Sequence, residues 1–185
     1  MSTIAKTVFA VIVVCATLHT SIAQRWQKTI DNADEQYEQG DYEGAKKTLE
    51  KFKDQVAKKL GESNDYLPVY YLWTAKFNLA LGYLVEFQTQ IERALESSIA
   101  TYGKTSKEHG MQLIKVAEIV AHYGDYISSK EYLEEGIQTL KETDAYSKDA
   151  EAKIELTKAE ILPGQGFYNE SLKFIEEHLE YHRSR

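Results

Sequence analysis

Cysteine occurs once in the 185 residues, at Cys15, and proline twice, at Pro68 and Pro163. A chain this poor in cysteine has no disulfide framework, so its stability must come from its packed interior. With two prolines, long helices meet little interruption. Basic side chains are in deficit, 22 against 29 acidic. Nucleic acid and anionic lipid are therefore poor partners, because both are bound by lysine and arginine that displace or neutralise counterions. No apolar run reaches the roughly 20 residues needed to cross a hydrocarbon layer about 30 Å thick. Runs of alternating polar and apolar residues that would signal strands are nearly missing.

The longest apolar run has a different reading. Residues 1–23 carry one positive charge, Lys6, then an apolar stretch from Val8 to Leu18, then a polar stretch ending Ser21-Ile22-Ala23. Small residues at −3 and −1 before Gln24 fit a signal-peptidase site, so residues 1–23 are expected to be a cleaved export signal and the protein to be periplasmic or secreted. A lipid-modified Cys15 would want a small residue before it, and Val14 stands there. Cleavage leaves residues 24–185, free of cysteine and with a net charge of −8. That length suits one domain.

Within it, residues recur at a spacing of 42. Gly40, Gly82, Gly124 and Gly166 form one series, and Ala33, Ala75, Ala117 and Ala159 a second. Ile30, Leu72, Ile114 and Leu156 form a third, and Leu49, Ile91, Leu133 and Ile175 a fourth. The tripeptide Gly-Asp-Tyr appears at 40–42 and again at 124–126. Before each glycine, apolar residues fall at helical spacing, as in Leu72, Ala75 and Leu79. After it comes a second amphipathic pattern, as in Ser129, Leu133, Gly136 and Leu140. Each unit therefore reads as a helical hairpin that reverses at a glycine able to take positive φ. Approximate boundaries are 24–65, 66–107, 108–149 and 150–185. Thr105 and Glu108 have the spacing of a capping box. The small alanines let paired helices approach closely, and hairpins must stack because none can bury its apolar face alone.

Ala33, Gly40, Tyr42 and Ala45, with Ala117, Gly124, Tyr126 and Ser129, resemble the tetratricopeptide repeat. The 42-residue period and the linker Leu60-Gly61-Glu62-Ser63-Asn64-Asp65 are similar to the extended variety typified by kinesin light chain. The resemblance spans the whole of 24–185. Repeat two departs from it at Tyr83, Leu84 and Phe87, and repeat four at Pro163-Gly164-Gln165-Gly166. It implies an all-α fold, a right-handed superhelix of four helical hairpins whose first helices line a groove for protein or peptide segments. By position the groove residues are Asp34, Lys76, Glu118 and Glu160, with Ile30, Leu72, Ile114 and Leu156 one turn earlier. Three of the four polar positions are acids, so the basic carboxylate clamp of some relatives is not expected; an amphipathic or basic segment is.

Chemistry has few footholds. His178 and His182 lie one helical turn apart and could hold a transition metal, but no third ligand is placed by the pattern, so no metal is expected there. Gly164-Gln165-Gly166 could be misread as a phosphate loop; it joins two helices and follows no strand. Asn169-Glu170-Ser171 is a glycosylation acceptor only in a eukaryote. In the run Tyr66, Tyr70, Tyr71, Trp73 and Phe77, Tyr70 and Tyr71 cannot both face inward, so one is a candidate exposed anchor. No enzyme signature or cofactor motif emerges. The expected function is an exported, non-catalytic scaffold for a protein or peptide partner, without membrane attachment after signal cleavage. The alternative is the arm of a larger enzyme or signalling protein, such as a caspase-like protease or sensor kinase, because no polar capping helix is evident before Arg185. An uncapped C-terminal end would also permit self-association.

Overall fold

The three letters of Gly-Asp-Tyr have three separate structural duties. A computed structural model describes residues 26–60, 64–164, 166, 167, 171–173 and 176. In it Gly40 and Gly124 take φ of +81° and +92°, a left-handed conformation that side chains with a Cβ adopt only under strain. The aspartates then cap the following helices. Asp41 Oδ1 accepts from the Gly44 N–H at 3.0 Å, and Asp125 Oδ1 from the Ser128 N–H at 3.1 Å, each satisfying a donor that a helix N-terminus leaves open. Hydrogen bonds from Ser128 hold the Asp125 carboxyl below its ordinary pKa. Tyr42 and Tyr126 are the first helical residues.

In chain order the helices are α1 (26–38), α2 (Tyr42–Leu60), α3 (Tyr66–Ala80), α4 (Leu84–Tyr102), α5 (Lys107–Tyr123), α6 (Tyr126–Glu142) and α7 (Lys148–Gly164). In α8, residues 171–173 and 176 are described. There is no strand among the described residues. The helices pack in consecutive pairs, and the chain divides into two compact units, Met1–Lys59 and Leu60–Arg185.

The turns that depart from the repeat pattern keep its geometry. Gly82 and Gly166 take φ of +76° and +87°. At Gly40, Gly82 and Gly166 the same two bonds close the preceding helix. The glycine N–H donates three residues back, to Tyr37, Leu79 and Pro163, and the next N–H donates five residues back, to Gln36, Asn78 and Leu162. This pair of bonds satisfies carbonyls that the helix end leaves unpaired. Tyr83, which takes the place of the capping aspartate, makes no side-chain cap. In the fourth turn Pro163 and Gly164 still belong to α7, and only Gly166 reverses the chain. Gly164 has another reason to be small: a Cβ there would overlap the Tyr126 ring. The helix expected to be capped by Thr105 starts one residue later, and its cap is Ser106, whose Oγ accepts from the His109 N–H.

Within a pair, small side chains bring the backbones together. Ala33, Ala75, Ala117 and Ala159 are all buried. In the third and fourth pairs a serine on the second helix donates to the carbonyl of that alanine: Ser129 to Ala117 and Ser171 to Ala159, both at 2.6 Å. Two equal bonds 42 residues apart are a direct structural signature of the repeat. In the first unit Thr48 and Gln36 occupy a similar crossing, with Thr48 Oγ1 donating to Gln36 Oε1 at 2.8 Å. Trp26, Ile30, Ala33, Ala45, Leu49, Phe52 and Val56 are buried there, with Trp26 edge-on to Phe52.

Among the described residues of the second unit, two apolar clusters each join one pair to the helix that follows. Leu72 and Ala75 of α3, Phe87, Ile91 and Ala94 of α4, and Val116 and Val120 of α5 form the first. Ile114, Ala117 and Ala121 of α5, Leu133 and Leu140 of α6, and Ala150, Ile154 and Ile161 of α7 form the second. Helix α5 thus shows an apolar residue to both neighbours, which is the stacking that a lone hairpin's open apolar face requires.

A polar contact is sealed inside the first junction. His109 Nδ1 lies 3.1 Å from Ser98 Oγ, and both residues are buried. Burial lowers the His109 pKa, with Glu135 opposing that shift and Lys104 adding to it. A depressed histidine pKa means the unfolded chain takes up the proton first. The neutral side chain's contribution is therefore complete above the ordinary value of about 6.5 and is lost as pH falls from there toward the folded pKa. Urea midpoints measured from pH 8 to pH 5 should fall more steeply for the native chain than for His109→Gln, which cannot ionise.

Candidate docking surface on the first helices

Charge on the first helices is arranged differently from its linear order. Glu118 and His122 lie one turn apart on α5. Lys153 of α7 reaches back across the helix boundary, placing Nζ 2.5 Å from Glu118 Oε2. One turn along, His122 Nδ1 is 3.7 Å from Glu160 Oε2 and 2.8 Å from the Glu118 carbonyl oxygen, which can only accept. Partial burial raises the Glu160 pKa, and Glu118 adds to this while His122 and Lys153 oppose it. Protein packed about the stem of Lys115, then the charge of Lys153, lowers the Lys115 pKa against the pull of Glu118, although the residue as a whole stays exposed. On α3 the positions equivalent to Lys115 and Glu118 hold Trp73 and Lys76, and the Lys76 Nζ sits 4.6 Å from the Trp73 ring centroid, within cation–π range.

The expected apolar floor is mostly interior. Ile30, Leu72 and Ile114 are buried, and only Leu156 is open, at 39%. Spacing alone does not decide this, since Leu156 precedes buried Ala159 by the same three residues; Leu72 and Ile114 are covered because the next pair's first helix packs on them, α5 on Leu72 and α7 on Ile114. Of the polar positions, Glu118 and Glu160 are brought together with Lys153 and His122. Asp34 lies in the first unit, beside an open cleft of about 570 Å³ lined by Asp31, Asp34, Glu35, Glu38 and Gln39 of α1 and its turn. Tyr70 is buried, whereas Tyr71 is half-open and edge-on to it at 5.1 Å, leaving Tyr71 as the anchor candidate of the two.

Lys115, His122 and Lys153 belong to this surface and were not among the positions read from the repeat. Lys115 and His122 could have been found by stepping along α5 from Glu118. Lys153 could not, because its partner lies on another hairpin.

Neither a protein-family model nor a curated protein matches the chain. The surface must be read on its own chemistry.

The surface carries paired charges beside a few open apolar side chains. Among the described residues no group of three histidine, cysteine, aspartate or glutamate side chains is placed to hold a metal ion. His178 and His182 lie outside the described residues, as do Asn169, the segment 1–23 and Cys15. The Ser98–His109 contact has the residue types of a nucleophile and its base, but Ser98 has no exposed surface, so no substrate reaches it. No described helix is long and apolar enough to cross a membrane.

Proposed function

We propose that the chain is an exported, non-catalytic scaffold of the tetratricopeptide type, which holds a segment of another protein along its first helices. The observation that carries this reading is the pair of interhelical contacts, Lys153–Glu118 and His122–Glu160, joining α5 to α7. They fix charged groups of both signs beside open Leu156. Because the acids carry neighbouring cations, the surface is of mixed sign. The segment it suits is amphipathic and carries charges of both signs, in place of the purely basic one that the acids alone imply. A right-handed superhelix would extend this row from one hairpin to the next, and the repeated turns and caps support that arrangement.

The test is capture of partners from the native compartment, followed by titration of the bound segment against charge-reversed variants. Glu118→Lys should weaken binding about tenfold or more, roughly 1.4 kcal/mol, and affinity should fall as salt rises. Adding Lys153→Glu should recover part of the loss by restoring the bridge in reverse. Affinity that ignores both the reversal and the salt would remove this surface from the interaction.

A further inference from the structure

The repeat register is irregular at the junction of the second and third pairs. Steps of 42 set Ser98 of α4 level with Val56 and Leu140, and His109 of α5 level with Leu67 and Glu151. Val56, Leu67 and Leu140 are buried, and so are Ser98 and His109. Where the buried register-mates are aliphatic, this junction holds a hydroxyl and an imidazole, with Oγ and Nδ1 3.1 Å apart.

The junction is divided along its length. Its far end is apolar: Val116 and Val120 of α5 share one cluster with Leu72, Phe87 and Ile91. Its near end, at the first turns of α5, is polar. His109 meets Ser98 there, and Gln112 Nε2 donates to the Pro68 carbonyl of α3 at 3.0 Å, again between buried residues. The apolar end carries no proton, so acid has its hold on the near end.

We infer that the near end is an acid-operated joint: a proton on His109 frees the first turns of α5 from α4, while the apolar end keeps α3, α4 and α5 together. The imidazolium has a donor on each ring nitrogen, and Ser98 serves the one on Nδ1. A charge enclosed there loses its hydration. It also lies in the first turn of α5, where the helix dipole is already positive. Glu135 of α6 favours the proton and Lys104, in the turn before α5, opposes it. Lys107 and Glu108 stand beside His109 on α5. All four are exposed, so solvent screens them and burial sets the balance. Opening returns the ring to water and to its ordinary pKa of about 6.5. The pKa of the buried ring is lower, so the proton binds the open form first. Each pH unit between the two values then raises the open fraction up to about tenfold. The joint is closed above the ordinary value and opens progressively below it. It needs no docked segment, and it stands or falls independently of the scaffold reading.

Amide hydrogen exchange of the full chain from pH 8 to pH 5, corrected for intrinsic rates, tests it. Protection of Leu113 and Ile114 in α5 should fall about threefold or more on acidification, while that of Leu133 in α6 and Ile154 in α7 holds. His109→Gln should abolish the response. Ser98→Val with His109→Leu, which restores the aliphatic register, should abolish it too and keep α5 at pH 5 as protected as the native helix at pH 8. A native α5 whose protection ignores acid overturns the inference, as does an acid response that survives either replacement. A loss shared equally by α6 and α7 would report global unfolding and overturn it as well.

Discussion

Phe87→Ala should lower the stability of the second unit by about 3–5 kcal/mol, the range for removing a fully buried aromatic side chain. Phe87 stands where the equivalent positions hold Ala45, Ser129 and Ser171, all buried. In the second pair that place is filled by a ring which also reaches the next hairpin, where it meets Tyr123 at 5.2 Å. Truncation therefore empties space within the α3–α4 pair and at its junction with α5 together. A domain of ordinary stability has about 5–15 kcal/mol in total, so a large share would be lost. Urea unfolding followed by circular dichroism should show a lower midpoint with an unchanged slope. Phe87→Ser should fare no better, since the serine found in pairs three and four works only where its hydroxyl reaches the alanine carbonyl across closely packed helices. A loss under about 1 kcal/mol would mean that the site collapses freely, contrary to an interior packed to crystal-like density.

Gly136→Ala should also destabilise, and for the opposite reason. A Cβ at Gly136 would lie 2.9 Å from the Gly110 carbonyl oxygen, 3.0 Å from Ile114 Cγ1 and 3.2 Å from Leu113 Cβ. The first of these is backbone and cannot swing aside, so α5 and α6 must separate. Overpacking of this kind costs about 1–3 kcal/mol, against which alanine's better helix propensity returns up to about 1 kcal/mol. The net effect expected is a loss of up to about 2 kcal/mol in the same urea measurement, with Gly136→Val losing more. Gly110→Ala is the informative comparison. Its Cβ would stand 3.1 Å from Leu140 Cγ and 3.3 Å from the Gly136 carbonyl oxygen, so its penalty should be smaller. A stabilised Gly136→Ala would show that the two helices have room that their packing here denies.

The hairpin plan was readable because the signals are local and repeated. A glycine that takes positive φ, an aspartate that caps the next helix and a small residue at the crossing each leave a mark within a few residues, and a spacing of 42 makes the marks reinforce one another. Even Tyr83 and Pro163, which break the pattern, did not move the reversals, because Gly82 and Gly166 alone supply the positive φ that closes the helix. The first-helix surface was harder to read. Leu72 and Ile114 are buried because the next first helix packs on them, while Leu156 holds the same register and stays open. Position in a repeat says which turn a residue occupies, while burial depends on which neighbour that turn meets. The Lys153–Glu118 bridge joins residues 35 apart, a distance at which no helical periodicity operates. The closeness of Gly110 and Gly136 was equally hidden, since neither glycine lies in a turn and their proximity is a property of the packed pair.

Backbone amide NOEs of the isotope-labelled chain test the 42-residue hairpin most directly. Sequential helical connectivities should run through α3, α5 and α7 and break at Gly82, Gly124 and Gly166. Ser129 should show contacts to Ala117, repeated between Ser171 and Ala159. Helical connectivity running unbroken through any of those glycines, or the loss of both serine–alanine contacts, would contradict the paired-helix repeat on which the account rests.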